Sequence, residues 1–409
     1  MYPLLVVHIL LATNDPLHPV SRFYPDAPFA ADPMVEAMVA SVSEDSVIAM
    51  IQYLEDYGSR SSLWDEQFQQ VVDWTDSWFG LHWIPSEIQH FTFTQSGQYH
   101  DCWNVLASIT GQVHPEQVYI VCGHLDSTSE DSTVAPGADD NGSGSAAVLE
   151  AARVMAPYDY EYSVKFILFG AEEENMKGSL YYVQHLPPGE LVMGVINVDM
   201  ILYAPDDRDS LEFICCSSDT NQFAEQAVLY VQEYAPQSHP RLTYDPDAWN
   251  SDHSVFYFLG MDAIWGRECA LDDNPYNHTP NDLLANYMSY FPFGTDCVRG
   301  IVAAAASFAG PIGPSGVGGG APGSGDLQIL RINPNPTSGI IQVSLESPSD
   351  ASVSISVFDL SGHMVRPVET LAEDCSPWTL DLTAVPAGVY LVRWIQDDLS
   401  GSERLVILN

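Results

Sequence analysis

The segment Gly123-His124-Leu125-Asp126-Ser127 opens an ordered series of residue types that bind divalent metals, and the series continues through Asp139, Glu172-Glu173, Asp199 and His278. A cooperating pair of ions needs terminal ligands for each and one carboxylate able to touch both; imidazole nitrogens with carboxylate oxygens suit zinc. On chemistry alone His124 can bind one ion, and an HxD at a strand end reads equally as a hydrogen-bonded turn. Asp126, two residues on and so on the same side of an extended chain, is the carboxylate that holds the His124 ring. Asp139, in the turn Pro136-Gly137-Ala138-Asp139-Asp140-Asn141-Gly142, is the expected bridging carboxylate, with Asp140 as second candidate. A capped turn is the other reading of those residues. Glu172 and Glu173 leave a strand end side by side, so one can bind metal while its neighbour faces the reacting water; Glu174 is expected to face solvent. Since a metal lowers the pKa of water and a free carboxylate moves its proton, the pair reads as hydrolytic chemistry.

These residues need a frame that brings strand ends together. Residues 118–122 (VYIVC) form a continuous β-branched and apolar run, the pattern of a buried central strand, with His124 leaving its C-terminal end. Residues 164–169 and 192–198 repeat the pattern and end at Glu172-Glu173 and at Asp199. Residues 88–93 and 103–109 read as further strands, and Gly142-Ser143-Gly144 opens an Ala-rich helix over 145–155. Between residues 32 and 79 apolar residues recur at helical spacing, which predicts two amphipathic helices joined by a turn at 57–62; another Ala-rich helix spans 298–308. The expected fold is α/β, a doubly wound, mostly parallel sheet with flanking helices, whose ligands sit at the carboxyl ends of the strands. Residues 311–325 (PIGPSGVGGGAPGSG) have linker composition. Beyond them, short strand-like runs at 340–345, 353–358, 389–395 and 404–408 predict a small all-β, Ig-like sandwich. The domains expected are a leader over 1–31, a catalytic domain over 32–310, a linker over 311–325 and the sandwich over 326–409.

Composition narrows the partners. Of the 409 residues, 55 are acidic and 13 basic, a formal net charge of -42, so nucleic acid is a poor partner. Charged residues make up only 17% against the ~25% of an average protein, so the acidity reflects missing cations as much as added carboxylates. No run reaches the ~18 apolar residues of a membrane span. Residues 1–12 (MYPLLVVHILLA) have the length of a signal-peptide core without the basic residues that usually precede one; a buried strand is the other reading. The seven cysteines show no CxxC spacing, and Cys215-Cys216 reads as buried small apolar residues. Ser251-Asp252-His253 is no hydrolase triad, because consecutive residues cannot form one and no GxSxG elbow is present.

Taken together, GHLDS, APGADDNGSG, GAEEENMKGS, NVDM, SDH and NPYNHTPND, in this order over residues 32–310, resemble the di-zinc aminopeptidase family of bacterial leucyl aminopeptidases and aminopeptidase Y. The resemblance implies that His124 and Asp199 bind one zinc, Glu173 and His278 a second, and Asp139 bridges them. It makes Glu172 the general base and acid, Asp126 the partner of His124, and SDH a support element beside the site. Glu172 would take a proton from the attacking water and return it to the leaving amine, with peptides or proteins bearing a free N-terminus as substrates. Where the best-known bacterial relative carries CGYAC, this chain has Pro246-Asp247-Ala248-Trp249-Asn250, so the pocket departs from the family pattern; Met200, Trp249 and Trp265 are its candidate lining. Glutaminyl cyclases and carboxypeptidase-type enzymes share the scaffold, and an inactive surface binding module is the rival outside catalysis. Both histidines, the paired Glu and the scarcity of Arg and Lys favour an aminopeptidase.

The C-terminal module resembles the sorting domain of type IX secretion through RINPNPTSG at 331–339, VFDLSG at 357–362, GVYLVR at 388–393 and LVI at 405–407. That resemblance implies contact with the secretion machinery and a secreted or cell-surface location; an ordinary Ig-like accessory domain is the plain alternative.

Overall fold

The computed structural model describes residues 31–315 apart from 207, 218 and 219. Beyond these it describes 329–333, 337, 339–346, 353–359, 364–371, 378–386, 388–396 and 399–407. The expected leader up to residue 30, and the linker from residue 316 on, lie outside the described residues.

Among the described residues three helices come first, α1 (Pro33–Ala40), α2 (Glu44–Glu55) and α3 (Asp65–Leu81). Two were expected; the Ser41–Ser43 break divides the first, because Ser43 caps α2 by accepting from the Ser46 amide. An eight-stranded mixed sheet follows, built from β1 (Ser86–Gln95), β2 (Gln98–Ile109), β3 (His114–His124), β5 (Tyr162–Phe169), β6 (Leu191–Val198), β7 (Leu211–Cys215), β8 (Arg241–Tyr244) and β9 (Ala263–Glu268). Its order is β1-β2-β5-β3-β6-β9-β7-β8. The central pairs β5–β3, β3–β6 and β6–β9 are parallel, whereas β1–β2, β2–β5 and β9–β7 are antiparallel. Helices α4 (Gly144–Met155), α5 (Lys177–Gln184), α6 (Gln222–Tyr234), α7 (His253–Phe258) and α8 (Phe291–Ala309) flank it.

Alternation along β3 shows why its run is apolar throughout. Tyr119 and Val121 pack into the core that includes α4 and α8, whereas Val118, Ile120 and Cys122 pack into the opposite core with α5 and α7. A strand buried on both faces has no polar side to show. Because β5, β3 and β6 are adjacent and parallel, their ends at Phe169, His124 and Val198 fall on one edge.

β10 (Pro311–Pro314) pairs antiparallel with β4 (Tyr158–Tyr160), so the first four residues of the expected linker are a strand on the α/β unit. Proline is tolerated there because an edge strand need not donate every amide. Among its described residues the C-terminal module holds two antiparallel sheets. One is β11 (Ile329–Asn333), β12 (Ile340–Glu346) and β15 (Trp378–Asp381); the other is β14 (Met364–Leu371), β13 (Val353–Asp359), β16 (Gly388–Gln396) and β17 (Leu399–Ile407). Alternate residues such as Ile341 and Val343, Val353 and Ile355, and Val392 and Trp394 share one core, as in a sandwich. Among the described residues no helix is long and apolar enough to cross a membrane.

Candidate metal centre

The carboxyl edge of the central strands gathers six of the seven residues expected to bind metal or move protons. His124 ends β3 and is buried, its carbonyl accepting from the Ser145 hydroxyl at 2.7 Å. Its Nδ1 lies 3.0 Å from the Asp126 carbonyl; an N–H donated there leaves Nε2 free to ligate. That Nε2 is 3.3 Å from Asp140 Oδ1 and 3.3 Å from Asp199 Oδ1. On the other side His278 Nε2 stands 2.9 Å from Asp140 Oδ2 and 3.3 Å from Glu173 Oε2. Two donor groups result, His124/Asp140/Asp199 and Asp140/Glu173/His278, each with its ligand atoms within 4.8 Å of one another. His124, Glu172 and Glu173 satisfy the same distance.

The shared carboxylate is therefore that of Asp140, not Asp139. Asp139 turns into the protein, where Oδ1 accepts from the Ile201 and Leu202 amides at 3.1 Å each and from the Ser143 hydroxyl at 2.9 Å, and Oδ2 accepts from Asn274 at 3.0 Å. Both oxygens are engaged and buried, and neither joins the donor groups around the histidines. Burial raises its pKa to about 6 even though Glu268 and Ser143 oppose the shift. Adjacent residues in this irregular turn point opposite ways, which motif order could not resolve. The Asp140-Asn141 peptide is cis.

Asp126 has a broader role than expected. Its carboxylate lies 3.7 Å from His124 Nδ1, farther than its own carbonyl, and its oxygens accept from the Glu172 amide at 3.1 Å and the Glu173 amide at 3.3 Å. It thus fixes the turn that carries both glutamates. Asp199 is held by the Ser251 hydroxyl, which donates to Oδ2 at 2.5 Å, and by Trp265, whose indole N–H donates to the Asp199 carbonyl at 3.0 Å. Asn197 in turn donates to Ser251 at 2.7 Å. SDH supports the site through its serine. Its aspartate, Asp252, is buried and accepts from Ser179.

The three pocket candidates divide. Trp265 and Met200 are buried, and Trp265 is a support for Asp199, packed against His253 and Arg267. Trp249 is partly exposed and meets Phe258 edge-on. Glu174, expected in solvent, is buried. Ala171, Met200 and His278 all carry left-handed backbone, at φ 56°, 62° and 55°. Each costs roughly 1–2 kcal/mol in an L-residue, and such strain gathers at functional sites.

The electrostatics fit a pair of cations. Burial raises the Glu172 carboxyl well above its ordinary range; the His124 charge opposes the shift, and Asp252, Glu173 and Asp199 reinforce it. Burial and the Asp140 charge lift Glu173 to about 7. Contacts with Asp140 and Glu173 lift His278 to about 11. Burial would raise Asp140, but its bonds to His124 and His278 outweigh that and hold it below the usual carboxylate range. In addition Glu173 Oε1 is buried with no hydrogen-bond partner. A buried oxygen without a donor, among crowded carboxylates with two imidazole Nε2 atoms facing them, is the pattern a divalent cation satisfies.

Residues 104–290 match the model of Peptidase family M28, and residues 331–408 match the secretion system C-terminal sorting domain. Residues 104–290 are thus similar to peptidase family M28. The M28 region is 33% identical over 178 residues to aminopeptidase YwaD of Bacillus subtilis, covering 41% of this chain and 36% of that protein. The alignment thus spans about a third of that relative's length. Among solved structures, the Legionella pneumophila LapA aminopeptidase superposes with a TM-score of 0.59 at 22% identity, over 72% of this chain and 77% of that one. BSAP, a zinc aminopeptidase from Bacillus subtilis, superposes with a TM-score of 0.57 at 16% identity, over 66% and 95%. At these identities the two structures establish the fold.

Proposed function

We propose that this chain is a zinc-dependent aminopeptidase with two ions per molecule. The observation that carries the reading is the Asp140 carboxylate, one oxygen toward His124 and the other toward His278. Asp199 completes the first group and Glu173 the second. His124, Asp140 and Asp199 would hold one ion and Asp140, Glu173 and His278 the other, a nitrogen and oxygen donor set suited to zinc. When bound, the ions polarise the scissile carbonyl and make water more acidic.

The remaining work belongs to the chain. Glu172 lies beside His124 and Glu173. Its raised pKa suits a group that accepts a proton from water and passes it to the leaving amine. Asp126 fixes the angle of that group by accepting both amides of the glutamate pair, so Glu172 meets the reacting atoms without reorganising. The acidic surroundings favour a substrate with a free α-ammonium group, hence peptides with an unblocked N-terminus. The C-terminal sandwich is the part that engages the secretion machinery, which places the enzyme outside the cell or on its surface.

Paired aminoacyl anilides with free and acylated amino groups test the reading. Turnover of the free amine alone is expected; equal or greater turnover of the blocked substrate would overturn it, and pyroglutamyl formation from N-terminal glutamine would indicate a cyclase.

A further inference from the structure

The proposed function requires Asp140 to face two ways from an irregular turn, so the backbone beneath it has to be fixed. Asp282 lies directly under that backbone. Its Oδ1 accepts from the Asp139 amide at 3.0 Å, its Oδ2 from the Asp140 amide at 3.0 Å, and its carbonyl from the Ala138 amide at 3.0 Å. The side chain is 2% exposed. Asp126 treats the amides of Glu172 and Glu173 in the same way. Each acidic pair of the site thus rests on one carboxylate that accepts two consecutive amides.

Asp282 also joins this turn to the segment that carries His278. It lies four residues further on, in consecutive turns where Thr279 donates to the Tyr276 carbonyl and Asp282 to the Thr279 carbonyl, both at 3.1 Å. On the far flank the buried Arg60 guanidinium donates to the carbonyls of Pro136 at 2.5 Å and Gly137 at 2.9 Å. Its positive charge favours the ionised Asp282 and Asp140.

We propose that Asp282 is a positioning residue that sets the Asp140 carboxylate between the two ions and ties it to His278. The inference rests on the two-ion reading above. Asp282→Asn keeps the volume and one acceptor oxygen but turns an amide donor toward a backbone N–H; Asp282→Ala leaves both amides buried without acceptors.

The test is stepwise zinc binding by the full-length, metal-free protein, measured by competition with a chromophoric chelator. The weaker of two binding steps is expected to fall 10–100-fold in Asp282→Asn, the range seen when partners of metal ligands are removed, and further in Asp282→Ala. Should the Asn variant fail to fold, Asp282→Ser, smaller and with one acceptor, carries the same expectation. Val72→Ala, a core truncation on α3, is the control for general destabilisation. Wild-type zinc affinities in Asp282→Asn and Asp282→Ala, or an equal loss in Val72→Ala, would overturn the role of Asp282. A wild-type protein that binds fewer than two zinc ions would remove the two-ion reading itself, a result visible before any variant is made.

Discussion

Exchanging Asp140 and Asp139 separately for asparagine tests the geometry most sharply, because the two are neighbours of identical chemistry with opposite surroundings. Asp140→Asn removes a charge and one of two oxygens that stand 3.3 Å and 2.9 Å from the histidine Nε2 atoms, so one ion site loses its oxygen ligand and the other keeps only a neutral carbonyl. Loss of an orienting partner alone costs 10–100-fold in metal affinity, so loss of a shared ligand is expected to cost more than ~100-fold. That is about 2.8 kcal/mol or more at 1.4 kcal/mol per tenfold. Asp139→Asn keeps a carbonyl oxygen for the Ile201 and Leu202 amides and the Ser143 hydroxyl; its amide replaces the acceptor of the Asn274 amide and can donate to the neighbouring Glu268 carboxylate. Zinc affinity within ~10-fold of wild type is expected, since no ligand is touched. The assay is zinc competition on chelated protein, with anilide turnover alongside. A greater loss of zinc from Asp139→Asn than from Asp140→Asn would refute the assignment.

Two further outcomes follow from the same site. Glu172→Gln should retain its zinc and lose ~10²–10⁴ in turnover, the usual contribution of a proton-transfer group; near-normal turnover would remove Glu172 from that role. Chelated protein should also lose thermal stability between about pH 5 and pH 8. Burial raises the carboxyls of Asp252 to about 7 and Asp282 to about 8, and burial with the Asp140 charge raises Glu173 to about 7. A raised folded pKa contributes stability that is complete below the ordinary range near pH 4 and is lost as pH rises through the folded value. His278, raised to about 11, has the same sign. Melting curves of the metal-free protein check this, and a melting temperature that stays level or rises across the window would contradict it.

The sheet was legible where its strands are buried on both faces, because 118–122, 164–169 and 192–198 have no polar side to confuse the pattern. The short β7, β8 and β9, with α6 and α7 between them, were not, since strands of four to six residues carry too little periodicity. The order of ligand-type residues carried the centre as far as the right turn. It could not choose between Asp139 and Asp140, because which carboxylate faces the histidines depends on the Ile201 and Leu202 amides and on Asn274, all distant in sequence. Asp282 was invisible for the same reason. Its chemistry is that of two backbone amides 143 and 142 residues away, and a sequence motif records side chains only. The one available signal was its place at the end of NPYNHTPND, four residues beyond His278.

The central claim is a zinc-dependent aminopeptidase whose two ions share Asp140. Its most direct test is turnover of an aminoacyl anilide by chelated protein as zinc is returned one equivalent at a time, with bound zinc counted at each step. The account predicts negligible turnover in the metal-free protein and full recovery as occupancy reaches two ions. Turnover that survives complete removal of metal, or recovery that is complete with no more than a trace of zinc bound, would contradict it.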